Sequence, residues 1–147
     1  KYRFLSNWGS SMVQGGKQLP RSGDLLVITK SLKDVMVLYE LGITAIAPNS
    51  ETTFISENQY SKLKLRFKKI ILFYDNDLAG ISNMNKIRKE FKIEYTFIPK
   101  KYKVKDISDF YKKYGKNKTE KLIELYLKTC LDQEDMQEVK EIDMNLK

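Results

Sequence analysis

The sequence predicts an α/β domain, a four-stranded parallel sheet flanked by helices. Three observations predict it. Short apolar runs of strand length recur at 25–29, 44–48, 70–74 and 94–98. Between them apolar residues fall at helical spacing, and strands alternating with helices make a parallel sheet covered by helices. The first and third runs, "LLVIT" and "IILFY", are continuous rather than alternating, as strands buried on both faces require.

The elements follow in order. Residues 1–21 have weak periodicity and several breakers, among them Gly9, Gly15, Gly16 and Pro20. They read as a lead-in from an upstream domain, with room for one short strand, docked through Phe4, Leu5 and Trp8. The core is expected over 22–131. "RSGD" (21–24) turns into the first strand, "LLVIT". Ser31 and Asp34 form an Asp variant of the capping box, opening a helix to about Leu41 that is apolar nearly all round (Leu32, Val35, Met36, Leu38, Tyr39). Gly42 stops it. "TAIAP" (44–48) is the second strand. Ser56 and Gln59 cap a second helix with Tyr60, Leu63 and Phe67 on one face. "IILFY" (70–74) is the third strand, and Ile81, Met84, Ile87 and Phe91 mark the third helix. "EYTFI" (94–98) is the fourth strand, closed by Pro99. Two helices follow, one carrying Ile107, Phe110, Tyr111 and Tyr114. The other is capped by Asn117 and Glu120 and carries Leu122, Ile123, Tyr126 and Cys130. Residues 132–147 form an acidic tail or linker helix with Met136, Val139, Ile142 and Leu146 on one side.

A chain of 147 residues is most simply one domain with a real core, and 41% hydrophobic residues with nine tyrosines fit a folded protein. No apolar stretch approaches the roughly 20 residues that span a bilayer, so no membrane association is expected. The chain begins at Lys1 without a signal peptide, which reads as a piece of a longer, cytoplasmic protein. One cysteine, Cys130, excludes an internal disulfide, and the absence of histidine excludes a Cys/His zinc site. Charge is more telling. The net charge is +8, yet residues 132–147 hold six acids against two lysines, leaving +12 on the first 131 residues. Such a body suits a polyanion, with nucleic acid the leading candidate and a lysine-rich genome the plain alternative.

In parallel sheets function gathers at the carboxyl ends of the strands. Those ends are Lys30, the "PNSE" loop with Glu51, the Asp75–Asp77 pair, and residues 100–109. Two aspartates one residue apart can turn towards one cation as the chain leaves the strand, and burying both is costly without one. Hard oxygen ligands suit Mg²⁺ or Mn²⁺. Equally, Asp77 can cap the third helix while Asp75 ends a turn.

"YDNDLAG" (74–80) resembles the DxDxxG motif of Toprim domains, found in primases, topoisomerases, OLD-type nucleases and RecR proteins. Asp75, Asp77 and Gly80 are its fixed positions. The order of elements agrees over about 22–127. "KDISDF" (105–110) is similar to the Asp-containing segment after the last core strand of primase Toprim domains, with Asp106 and Asp109 its acids, although the two can equally be a helix-capping pair. The wording of 26–51 looks most like primases of bacteriophages and mobile elements. The resemblance implies a Toprim-like (Rossmann-like) fold, with Asp75 and Asp77 holding Mg²⁺ or Mn²⁺ for nucleotidyl transfer in RNA-primer synthesis. It also implies a single-stranded DNA template, nucleoside triphosphates and a replicative helicase, fused or separate, in a bacterial cell or phage-infected host. A fragment alone should be inactive or nearly so.

The sequence departs from the family at its first motif, Glu-Gly-x-x-Asp. Aligning on Asp34 puts Lys30 at the glutamate and Ser31 at the glycine. A lysine cannot ligate Mg²⁺, nor act as the same general base near neutral pH unless its pKa falls by several units. Glu51 could lend a carboxylate if the second strand neighbours the first. The alternatives are a non-catalytic Toprim-like module that uses Lys30 to bind phosphate or template, a Toprim-type nuclease, and a DxD phosphatase of the haloacid dehalogenase type. That last family sets its motif on the first strand, unlike this chain.

Residues 100–121 contain nine lysines against three acids, with Tyr102, Phe110, Tyr111 and Tyr114 interleaved. Lys100, Lys101 and Lys103 are the candidate phosphate contacts, and Tyr102 the candidate for stacking on a base. A second basic stretch, "KLKLRFKK" (62–69), reads equally as a solvated helix face.

Overall fold

A computed structural model of the chain describes residues 13–14, 19–48 and 55–130, with side chains over 19–48 and 55–128. The chain divides into two compact units, residues 1–71 and 72–147.

The first unit carries β1 (Val13–Gln14), β2 (Gly23–Thr29), α1 (Leu32–Glu40), β3 (Ala45–Pro48), α2 (Glu57–Arg66) and most of β4 (Phe67–Phe73). The sheet order is β1-β3-β2-β4-β5, and β2 through β5 are the four parallel strands expected. β1 is a short antiparallel addition, with Val13 opposite Pro48 and Gln14 opposite Ala47. The chain leaves β2 for β3 on one side and returns to β4 on the other. That reversal is the kind of switch point where α/β sheets gather ligands at their strand ends. Leu26, Val27, Ile28, Ile46 and Leu63 are almost wholly buried, which explains why the β2 run is continuously apolar.

Two expectations here need correction. α1 buries Val35 and Leu38, but Met36 and Tyr39 are more than half exposed, so its apolar circumference is not buried all round. α2 begins as expected with the complete Ser56–Gln59 capping box, yet it ends at Arg66, not at Phe67. Phe67 is extended (φ −125°, ψ 135°) and opens β4, so the strand begins three residues before Ile70. Its N–H still donates to the Leu63 carbonyl, and the chain passes from helix to strand without a turn. Gly23 gives the Phe67 ring room, since a Cβ there would lie 3.2 Å from it.

The second unit carries the end of β4, α3 (Leu78–Phe91), β5 (Glu94–Thr96), a 3₁₀ turn at Lys100–Tyr102, α4 (Ile107–Tyr114) and α5 (Lys116–Cys130). Its core includes Phe73, Met84, Ile93, Phe97, Ile98, Ile107, Phe110 and Ile123. β5 stops at Thr96, and Phe97 and Ile98 continue buried but outside the strand. Gly115 (φ 88°) ends α4, and α5 starts at the next residue. Asn117 therefore lies inside the first turn of α5 and is not its cap. The Thr119 hydroxyl donates to the Gly115 carbonyl at 2.6 Å instead. The expected docking of Phe4, Leu5 and Trp8, Glu51 with its loop, and the acidic tail 132–147 lie outside the described residues.

Candidate functional site

The DxDxxG segment forms a tight strand-to-helix turn in the second unit. Asp75 lies two residues beyond the end of β4 and is buried at 4% exposure. Asp77 is the N-cap of α3, where its Oδ1 accepts from the Gly80 N–H at 2.7 Å. Gly80 explains the motif's third fixed position. A Cβ on it would overlap the Asp75 carbonyl oxygen and lie 2.9 Å from the carbonyl carbon. The first turn of α3 thus closes directly onto the Asp75 backbone, a packing that admits only glycine.

A second acidic turn lies after β5. Asp106 is the N-cap of α4, and its Oδ1 accepts from the Asp109 N–H at 2.8 Å and from the Ser108 hydroxyl at 3.1 Å. Asp106 and Asp109 are thus the capping pair that was one of their two readings. The cap uses one oxygen of Asp106, and a carboxylate can accept further. Asp75 and Asp106 each offer a carboxylate oxygen within 4.8 Å of the other. Two carboxylates this close repel unless a cation bridges them. The donor set is all oxygen, as Mg²⁺ or Mn²⁺ prefer, and the residues present fit such an ion.

Asn76, between the two aspartates, was not singled out by sequence. It is 8% exposed, its side-chain amide donates to the Ile98 carbonyl at 2.7 Å, and its N–H donates to the Lys105 carbonyl at 2.8 Å. The available signal was a polar residue inside a buried strand end. Lys105 Nζ stands 3.9 Å from Asp77 Oδ2, a partly exposed pair worth little to stability. Tyr74 is buried, and burial followed by the charge of Asp75 raises its phenol well above the ordinary range.

In the first unit Lys30 follows the end of β2 and is half-buried. Ser31 caps α1, its hydroxyl accepting from the Asp34 N–H at 3.3 Å. Asp34 is 1% exposed, and its Oδ2 accepts from the Thr29 hydroxyl at 3.2 Å.

The basic face of the second unit is built on the 3₁₀ turn. Lys100, Lys101 and Lys103 are exposed, and Lys103 sits in the left-handed region (φ 61°). Tyr102 is half-buried, edge-on to Phe110 at 5.3 Å and to Tyr114 at 6.1 Å, with the Lys101 ammonium 5.2 Å from its ring centre. Its carbonyl accepts from the Tyr114 hydroxyl and from Lys113.

An α/β sheet with carboxylates in its strand-to-helix turns is the class of domain these features define. The Toprim-like family matches residues 27–111, more than half of the chain, and the chain belongs to that family. Its fold is similar to that of solved primases. The primase fragment of the bacteriophage T7 primase-helicase protein matches with TM-score 0.53 at 18% identity, over 76% of this chain and 47% of that one. The DnaG primase catalytic domain bound to ssDNA matches with TM-score 0.58 at 20% identity, over 79% and 39%. The zinc-binding and RNA polymerase domains of Aquifex aeolicus primase match with TM-score 0.55 at 26% identity, over 69% and 26%. The chain thus spans less than half the length of each of these three. No curated protein matches it. No helix among the described residues is long and apolar enough to cross a membrane.

Proposed function

We propose that this chain is the Toprim domain of a DNA primase of phage or mobile-element type, acting in metal-dependent nucleotidyl transfer during RNA-primer synthesis for DNA replication. The observation that carries the reading is the buried Asp75 carboxylate within 4.8 Å of that of Asp106, on a Toprim-like fold shared with primases. Mg²⁺ or Mn²⁺ would be held by Asp75 and Asp106, with Asp77 as a further carboxylate. When bound, such an ion polarises phosphoryl oxygens and orients the attacking hydroxyl. Asp77 holds the first turn of α3 in place, and Gly80 lets that turn close on Asp75. Lys100, Lys101 and Lys103 neutralise backbone phosphates of a single-stranded template, with Tyr102 beside them. Nucleoside triphosphates are the second substrate. A replicative helicase, fused or separate, and the cytoplasm of a bacterial or phage-infected cell complete the setting.

The test is primer synthesis by the full-length protein on single-stranded DNA with ribonucleoside triphosphates. Products that vanish in Asp75→Asn support the reading. Binding of template without any primer synthesis would favour the other reading, a non-catalytic module, for which Lys30 in place of the family glutamate is the specific observation. Each phosphate contact adds about 0.7 to the log-log salt slope of single-strand binding, so neutralising Lys100, Lys101 and Lys103 together should flatten it by roughly two. An unchanged slope would make these lysines a merely solvated surface.

A further inference from the structure

The DxDxxG pattern leaves the residue between its aspartates unspecified, yet here that residue is the link between the two acidic turns of the second unit. Asn76 reaches two carbonyls distant in sequence. Its amide donates to Ile98, two residues beyond the end of β5, and its N–H to Lys105, the residue before Asp106. One neighbour of Asn76 is Asp75, and the residue after its Lys105 acceptor is Asp106. The two bonds therefore clamp the segment bearing one carboxylate against the segment bearing the other. Burial at 8% exposure makes the clamp rigid, because an amide or carbonyl left without its partner there is costly.

We propose that Asn76 is a positioning residue for a divalent cation held by Asp75 and Asp106, setting the separation of the two carboxylates without itself ligating the ion. This rests on the metal-site reading above. Asparagine suits the role chemically. An aspartate of the same size could not donate to Ile98, and a serine would not reach as far. Groups that orient metal ligands typically contribute ten- to a hundredfold to affinity.

The test is Mn²⁺ binding to the 147-residue chain, read by electron paramagnetic resonance of the free ion, beside circular dichroism and a thermal melt of each variant in chelator. Asn76→Ala should weaken Mn²⁺ binding by about tenfold or more at a temperature where the protein remains fully folded. Asn76→Gln keeps a buried amide but displaces it by one methylene, so an intermediate loss is expected, and it serves if the alanine variant does not fold. Asp75→Asn and Asp106→Asn in the same series should each remove binding. If they do and both Asn76 variants bind Mn²⁺ like the parent, Asn76 is purely structural and the proposal fails. If the parent binds no Mn²⁺, or the aspartate variants bind as well as the parent, the metal-site reading itself fails.

Discussion

Two strand-to-helix turns, 30–34 after β2 and 75–80 after β4, use one backbone device for different chemistry. In each, an extended N-cap side chain accepts from the N–H three residues on, Ser31 from Asp34 and Asp77 from Gly80. In the first turn the cap is neutral and the buried acid sits at the third helical position, its carboxylate turned to Thr29. In the second the cap is itself the acid, and the third position must be glycine to let the helix close on Asp75. The first turn has room for a side chain where the second has none. A capping role and a ligand role are therefore not alternatives, since Asp77 and Asp106 both cap helices while leaving an oxygen for other partners.

The sharpest break in the comparison is Gly80→Ala. Its Cβ meets backbone rather than a flexible side chain, so the turn itself must shift. We expect a loss of about 3 kcal/mol, at the upper end of overpacking, measured by urea denaturation. A loss under about 1 kcal/mol would show that the α3 turn is not held against Asp75.

Next in size is the charge at the first turn. If Lys30 occupies the place of the family's metal-linked glutamate, Lys30→Glu makes the site two charges more negative. Mn²⁺ affinity should then rise by about tenfold or more, and Asp75→Asn should abolish the gain. Calorimetric titration decides it. No gain in Lys30→Glu would mean that the first motif is wrongly aligned on Asp34.

The smallest effect separates cap from charge. Asp77→Ala should cost about 1 kcal/mol of stability, and Asp77→Ser should recover most of it, because a hydroxyl caps as well as a carboxylate. Ser31→Ala should cost about the same in the first turn. Equal stability of Asp77→Ala and the parent would remove the capping account.

Much of this was legible because it is local. The apolar runs gave the four strands, and Ser56, Ser31 and the DxDxxG segment marked helix starts at the right residues. The boundary at Phe67 was hidden because that residue continues the helical spacing of Tyr60 and Leu63 while its ring serves the strand. The start of α5 was hidden because Gly115 ends one helix immediately before the next begins, with no separate cap. At the site, Asp75 and Asp77 stood out by spacing alone. The approach of Asp106 to Asp75, and the clamp made by Asn76, depend on contacts across 22 to 31 positions, which no local pattern displays.

The central claim is that Asp75 and Asp106 share a divalent cation, and crystals grown with Mn²⁺ test it most directly. Anomalous scattering should place a manganese within coordination distance of a carboxylate oxygen of both residues. A fully ordered site with no manganese between those two carboxylates, at Mn²⁺ concentrations that load other acidic sites, would contradict the account.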